Sequence, residues 1–300
     1  MNWFLLAIVG HASNAVAFII DKTLLNSAFK RSTTYAALIG GLSVLGAVLF
    51  PWVRVWPSAA LYPFIILFGV LFVFALVAFF EALKRAEASR IIPVVGSLIP
   101  LFTLIGSIVI FQQGLTETEL TGFFLLLIAT WLLTTGGRDQ GKVTFRVILL
   151  AVLAAFLFAA ASLCGKYAFD HGDWFAVFAI SRVAAAVVGV VLGFVISGSR
   201  RELMQIFSGK ERKTKSAAGL ALVGQVCGGI GFALVNFALA AGSAAIVNAL
   251  QAVQYALIIL VAWLGGSVMR KALNEEFSRR VIIQKIIALV CVAIGLSLLA

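Results

Sequence analysis

The chain has 300 residues, of which 62% are apolar and only 12% are charged, and its mean hydropathy is +1.11. A soluble domain of this length carries roughly twice that charged fraction, so the composition excludes a soluble globular protein. The net charge of +11 would suggest nucleic acid binding in a soluble protein. In a membrane protein basic residues collect in cytoplasmic loops, and we therefore expect no nucleic acid partner.

Apolar runs of about twenty residues, long enough to cross a bilayer as a helix, follow one another along the chain. The first five spans are predicted at residues 2–20, 34–53, 61–83, 88–111 and 118–135. A polar joint at residues 136–142 separates them from five more, at 147–168, 174–196, 217–239, 244–265 and 281–300. These runs are too long for barrel strands, so we expect an all-α integral membrane protein with ten transmembrane helices.

Basic residues separate the two sides of the membrane. All Lys and Arg residues except Arg54, Lys166 and Arg182 lie in or beside the connections that follow the odd-numbered spans. The positive-inside rule places those connections in the cytoplasm and both termini on the outer side. The basic segment at residues 197–216, between spans 7 and 8, is read as part of this cytoplasmic charge.

The two halves of the chain repeat one layout. Lys22 in the first half recurs as Lys166 in the second, and Ala82-Leu83 recurs as Ala238-Leu239. We therefore divide the chain into a first five-helix repeat at 1–137 and a second at 138–300. A tandem unit of five helices inserts its second copy upside down, and inverted repeats are typical of transporters.

Several short features carry a family resemblance: Lys166, Ser181-Arg182, the Ala-Leu pairs of the repeat, and the Ile99–Thr103 segment. With them the chain resembles, over essentially its whole length, the ten-helix EamA-type members of the drug/metabolite transporter superfamily. The resemblance implies a central cavity formed by helices 1, 3, 4, 6, 8 and 9. It also implies cytoplasmic termini, which conflicts with the charge pattern, and we follow the charges.

The chain also departs from the family pattern. Leu38 stands where the second span would repeat Arg182, and Ala256 stands opposite Pro100. In the small four-helix exporters of the superfamily an essential carboxylate lies mid-helix, and the spans predicted here hold none. Proton-coupled export of hydrophobic cations by that mechanism is therefore disfavoured.

The ninth span holds the strongest candidate site. Asn248, Gln251, Gln254 and Tyr255 recur at spacings of three and four residues, which places them on one face of a helix. Such a row of polar groups suits a zwitterionic or hydroxylated solute. The alternative is that these side chains only bond neighbouring helices.

Four further polar residues are candidates: His11 and Asn14 in span 1, Arg182 in span 7 and Gln225 in span 8. His11 is either a titrating group or a neutral, hydrogen-bonded core residue. Arg182 is either an anchor for helix packing or a clamp for a substrate carboxylate or phosphate.

Two ion pairs are considered for basic residues in or near the spans. Either Asp170 or Asp173 is a candidate to neutralise Arg182. Glu81 is expected to form an interfacial ion pair with Lys84 or Arg85, and the alternative is that it is a proton-coupling carboxylate.

We expect that the protein binds no cofactor and no metal and that it is not an enzyme. Cys164, Cys227 and Cys291 lie singly in apolar runs, and the sequence has no recognisable catalytic motif. The leading hypothesis is a secondary transporter that moves a small polar metabolite, an amino acid or a related solute, across the inner membrane by alternating access. The alternative is a flippase for a lipid-linked sugar or a similar amphiphile. The expected partners are a small solute and membrane lipid, and a homodimer is left open.

Overall fold

A computed structural model of the chain describes residues 2–27, 31–86, 88–135, 144–207, 212–266 and 278–300. Within these ranges, ten helical segments are long and apolar enough to cross a membrane, and there is no β-strand. The prediction of an all-α protein with ten spans is confirmed. The predicted polar joint at 136–142 lies outside the described residues, and so does the boundary between 1–137 and 138–300.

The first half contains α1 (Trp3–Ser27), α2 (Ser32–Leu42), a 3₁₀ helix (Ser43–Trp52), a short 3₁₀ turn (Ala59–Leu61), α3 (Tyr62–Arg85), α4 (Ala88–Phe111) and α5 (Glu117–Thr134). The second half contains α6 (Phe145–His171), α7 (Trp174–Val195), α8 (Ser197–Phe207), α9 (Arg212–Ala241), α10 (Ala244–Ala249), α11 (Gln251–Leu264) and α12 (Arg279–Leu299). The second span joins α2 to the 3₁₀ helix, and the ninth joins α10 to α11.

Successive spans run in opposite directions, so the bundle has two faces. We call the face with Trp3, His171 and Leu299 the terminal face, and the face with Arg85, Val195 and Arg279 the basic face. An α-helix rises 1.5 Å per residue. A residue's distance along its helix therefore gives its approximate depth below either face.

Six spans pack in a ring. In it, α1 packs against α9 and α11, α6 packs against α3 and α4, and α10 packs against α4. The pairs α2 with α7 and α5 with α12 lie outside this ring. The contact of span 1 with span 8 mirrors that of span 6 with span 3, which is the pattern that two inverted repeats would produce. The ring contains the spans that the family resemblance implies for a central cavity.

Glycines allow the outer pair to approach closely. A Cβ atom on Gly189 of α7 would lie only 2.6 Å from the Gly40 carbonyl carbon of α2. Small residues at such crossings are how helices gain close packing in lipid, where no hydrophobic effect drives them together.

The connection between α7 and α9 includes a helix that the sequence analysis did not predict. In α8, Ser199 and Glu202 are buried against the start of α2, where Thr34 donates to Glu202 at 2.7 Å and Thr33 bonds Ser199 at 2.9 Å. The basic side chains Arg200 and Arg201 are exposed. Residues 197–207 of the predicted basic segment therefore form a two-sided helix docked on the basic face.

Two other carboxylates lie towards the basic face. Glu81 forms the predicted ion pair with Arg85, and Ser32 donates a hydrogen bond to the same carboxylate. The first helix continues past its predicted end at residue 20, so Asp21 lies within α1 and accepts a hydrogen bond from Tyr35.

Candidate functional site

The ninth span is interrupted where the sequence predicts one continuous helix. α10 ends at Ala249, α11 begins at Gln251, and the Val253 N–H donates to the Leu250 carbonyl at 3.0 Å, an i to i+3 bond of the 3₁₀ type. Neither proline nor glycine lies at the break. One turn before it, the Val247 carbonyl accepts a hydrogen bond from His11 Nε2 at 2.9 Å. A side chain inserted into the helical hydrogen-bond ladder is a recognised cause of a kink, and His11 supplies one here.

This bond also defines the state of the imidazole. A carbonyl can only accept, so His11 Nε2 carries the proton and Nδ1 offers a lone pair. His11 is buried, and its Nδ1 has no hydrogen-bond partner among the described residues. Gln254 of α11 interacts with the same ring.

The four polar residues of the ninth span divide between two neighbouring helices. Asn248 donates to Thr103 Oγ1 of α4 at 2.9 Å, and Gln251 donates to the Tyr255 hydroxyl at 2.7 Å. Tyr255 packs against Gly96 of α4, where an added Cβ would lie 2.9 Å from the hydroxyl oxygen. Gln254 interacts instead with His11 of α1. The four polar residues therefore contact both α1 and α4.

The facing wall of α4 carries its own polar groups. Pro100 has no N–H, so the Gly96 carbonyl loses its helical donor. The Ser97 hydroxyl is buried and bonds nothing in the part of the chain that the structure describes. The ninth span and α4 thus bring the hydroxyls of Thr103 and Tyr255 and the amides of Asn248 and Gln251 to one interface.

Asn14 lies at the contact of α1 with α9. It packs beside Gly231, and its neighbour Ser13 donates to the Cys227 carbonyl at 2.8 Å. Gln225 is half-buried on the same helix, six residues before Gly231, which places it about 9 Å closer to the basic face. The structure therefore does not bring Gln225 together with the other candidates.

Arg182 is enclosed by aromatic rings. Its side chain is 4% exposed, and its guanidinium carbon lies 4.4 to 5.7 Å from the ring centroids of four phenylalanines. The rings come from three helices: Phe68 and Phe72 of α3, Phe178 of α7 and Phe232 of α9. Each such contact contributes about 0.5 to 2 kcal/mol. We call these four rings the aromatic cage.

The expectation that Asp170 or Asp173 neutralises Arg182 is wrong. Asp170 accepts from Lys166 one turn earlier on α6, at 2.8 Å, because the i, i+4 spacing puts the two side chains on one face. Asp173 caps α7 by accepting from the Ala176 N–H at 3.0 Å. Arg182 Nη2 is buried without any hydrogen-bond partner within the described ranges, and Nε makes only a 3.5 Å contact with Ser181.

The aromatic cage and the span 9 interface lie at similar depth. His11 and Arg182 are each eight residues from the terminal-face end of their helices, about 12 Å, and Gln254 is about 15 Å from the start of its span. The hydrocarbon core of a bilayer is about 30 Å thick, so both groups lie near its midplane.

Sequence reasoning missed the aromatic cage and the roles of Thr103 and Val247. The i, i+4 pairs Phe68 with Phe72 and Phe178 with Arg182 were a usable local signal. In a chain with 25 phenylalanines, however, such pairs are common. Nothing local to Val247 indicates that its carbonyl bonds a histidine 236 residues away.

Comparisons with known proteins agree with this architecture. Residues 1–135 match the model of the EamA-like transporter family, which confirms the resemblance, and the match ends where α5 ends. No curated protein matches the sequence. One solved structure, described as "Crystal structure of protein", is 18% identical, covers 99% of this chain and 96% of its own, and superposes with a TM-score of 0.68. This likeness shows a shared fold alone.

Proposed function

We propose that this chain, a multi-pass membrane protein whose residues 1–135 match the model of the EamA-like transporter family, moves a small polar metabolite across the inner membrane by alternating access. An amino acid or a related solute fits the polar groups best. The observation that carries the proposal is the break in the ninth span at Leu250, which lies about 9 Å below the terminal face, in a span that packs against both α1 and α4. Many secondary transporters bind their solute at such discontinuous helices.

The proposed solute site has unused hydrogen-bonding capacity. His11 Nδ1 is an acceptor, Ser97 Oγ can donate or accept, and both are buried without partners in the described residues. A buried polar group without a partner is costly, so a polar solute that bonds these atoms would gain affinity. The amides of Asn248 and Gln251 already bond other side chains, and Gln254 interacts with His11. We propose that all three amides exchange those contacts for bonds to the solute.

Motion between the two halves would open the site to each side in turn. We propose that residues 1–137 and 138–300 rock against each other around the ring. Pro93 and Pro100 in α4 remove two backbone hydrogen bonds on the first-half wall of the site, so α4 can bend at low cost. The break at Leu250 provides a second flexible point on the opposite wall.

Uptake by proteoliposomes tests the proposal. Purified protein would be reconstituted and offered radiolabelled amino acids, nucleosides and sugars. For a transported solute, Gln254→Ala should lower uptake by more than about tenfold, because a buried polar bond to the solute is lost. Gln113→Ala, in the exposed loop after α4, is the matched control and should behave as wild type. Equal uptake by both variants would contradict the placement of the site.

The basic face supports a second candidate, a flippase for a lipid-linked sugar or similar amphiphile. Arg200 and Arg201 project from α8 into the surroundings, where cationic side chains attract anionic headgroups. Labelling lipid headgroups from outside in the same vesicles tests it. If the protein makes inner-leaflet headgroups accessible to the external label, and no solute enters the vesicles, the flippase proposal replaces the metabolite proposal.

A further inference from the structure

The guanidinium of Arg182 lies near the midplane with unused donor capacity. Its nearest acidic neighbours in sequence are occupied by Lys166 and by the α7 backbone. The phenyl faces of the aromatic cage attract a cation but accept its N–H bonds poorly. Nη2 is therefore a buried donor for which the described residues supply no acceptor.

The aromatic cage borders the polar face of the first helix. Phe232 of α9 packs against Arg182, and the preceding residue, Gly231, contacts Asn14 of α1. One short segment of α9 therefore touches both groups. The aromatic cage and Asn14 adjoin the same turn of α9.

We propose that Arg182 binds the carboxylate of a monoanionic organic solute, whose apolar part packs on the phenylalanines of the cage. This inference rests on the proposed transport function and narrows its substrate class, because a monoanion neutralises Arg182 where a zwitterionic amino acid would leave the site with a net positive charge. Guanidinium and carboxylate pair through two parallel hydrogen bonds, which would satisfy Nη2. The apolar rings exclude water and strengthen that pairing.

Charge balance favours a carboxylate over a phosphate. The cage contains one cation, and Lys166 nearby is already neutralised by Asp170. A single carboxylate brings the occupied site to net zero. A phosphate monoester carries about −1.5 to −2 charges near neutral pH, which would leave an uncompensated negative charge in an apolar setting.

Arg182 has an alternative role, in which it only packs helices and binds no solute, and substitutions of Arg182 distinguish the two roles. The Cβ and Cγ atoms of its stem pack against Gly46 in the 3₁₀ helix, so the aliphatic part alone could hold α7 against the second span. Arg182→Met keeps that stem and removes the charge. If the charge serves only binding, the empty variant should melt at the same or a higher temperature than wild type, since replacing an uncompensated buried charge by an apolar group relieves its desolvation.

The test is a thermal-shift titration of the full-length protein in detergent with isosteric pairs. The probes are hexanoate with hexanamide, phenylacetate with phenylacetamide, and inorganic phosphate. Wild type should bind at least one carboxylate more than about tenfold more tightly than its amide, and phosphate more weakly. Arg182→Met should lose this discrimination, while the exposed Arg54→Gln, the matched control, should keep it.

Arg182→Lys provides a second variant if Arg182→Met does not fold. It keeps the charge but cannot pair bidentately, so carboxylate affinity should fall while binding of neutral probes is unchanged. Carboxylate preference that survives in both variants would overturn the inference. Wild-type binding of neutral solutes only, lost on Gln254→Ala, would overturn it and leave the transporter proposal standing. If no probe raises the melting temperature and no solute enters the vesicles, the result counts against both the carboxylate inference and the transporter proposal.

Discussion

Replacing one glycine of α9 by alanine tests whether the contact of α1 with α9 is as close as the structure shows. A Cβ atom on Gly231 would lie 2.7 Å from the Gly10 carbonyl oxygen of α1 and would also overlap the Asn14 side chain. Carbon to oxygen contacts in proteins lie at about 3.3 to 3.6 Å, so the two backbones would have to separate by roughly 0.6 Å. Gly229, two residues earlier on the same helix, has no described atom within 4 Å of an added Cβ.

The expected magnitudes follow from these distances. Alanine is favoured over glycine in a helix by up to about 1 kcal/mol, and this gain is common to both variants. Gly229→Ala should therefore be neutral or stabilising by up to about 1 kcal/mol. Gly231→Ala adds an overpacking cost of about 1 to 3 kcal/mol, because a backbone carbonyl, unlike a side chain, cannot rotate away.

The measurement is reversible unfolding of the purified protein in mixed micelles, with helicity followed by circular dichroism as the denaturing detergent is increased. The free energy of unfolding of Gly231→Ala should be about 1 to 3 kcal/mol below that of Gly229→Ala. Equal values would refute the reasoning, since they would mean that α1 and α9 are further apart than the structure places them.

Three further predictions concern other parts of the bundle. Tyr255→Phe removes the acceptor of the Gln251 amide, so solute affinity should change in equilibrium binding while the spans stay folded. Thr34→Val leaves the buried Glu202 carboxylate without that donor and should lower unfolding free energy by about 1 to 3 kcal/mol, measured against exposed Thr121→Val. A reporter enzyme that is active only outside the cytoplasm should be active when fused after Ala300, and a cytoplasmic fluorescent reporter there should be dark.

The transmembrane spans could be predicted because the hydrocarbon core of the bilayer constrains the amino-acid composition of each span. Each needs about twenty apolar residues, and this requirement can be read from the chain without any knowledge of packing. The predicted fourth span, 88–111, has the same ends as α4. Ends in polar segments were less accurate, as at residue 20, where α1 continues to Ser27, because a helix can extend beyond the apolar core into the interface.

The candidate site residues could be selected from the sequence, but their arrangement could not. Polar residues inside a membrane span are costly, so they are candidates for function. His11, Gln254 and Arg182 were selected for this reason. Their partners are set by contacts between distant segments. His11 of α1 bonds the carbonyl one turn before the break at Leu250, and the surroundings of Arg182 are formed by rings from three helices.

The two repeats combine a similar frame with different side chains. The offset that relates Ala82 to Ala238 also relates Pro93 of α4 to Ala249, which adjoins the break in the ninth span. The corresponding helices of the two halves thus both lose regular hydrogen bonding at matching positions, one through proline and the other through His11. Under the proposed alternating-access mechanism, such matching weak points would allow two inverted conformations of similar energy.

Specificity, in contrast, requires that the symmetry be broken. Leu38 stands in the first half where Arg182 stands in the second. A symmetric pair would place two arginines near the midplane, and these would repel each other in the empty state and call for a divalent anion. One arginine opposite a leucine leaves a single positive charge, which one carboxylate neutralises. On this reasoning Leu38→Arg should weaken binding of monocarboxylates relative to dicarboxylates such as succinate, and an unchanged preference between the two would argue against Arg182 as the anion-binding group.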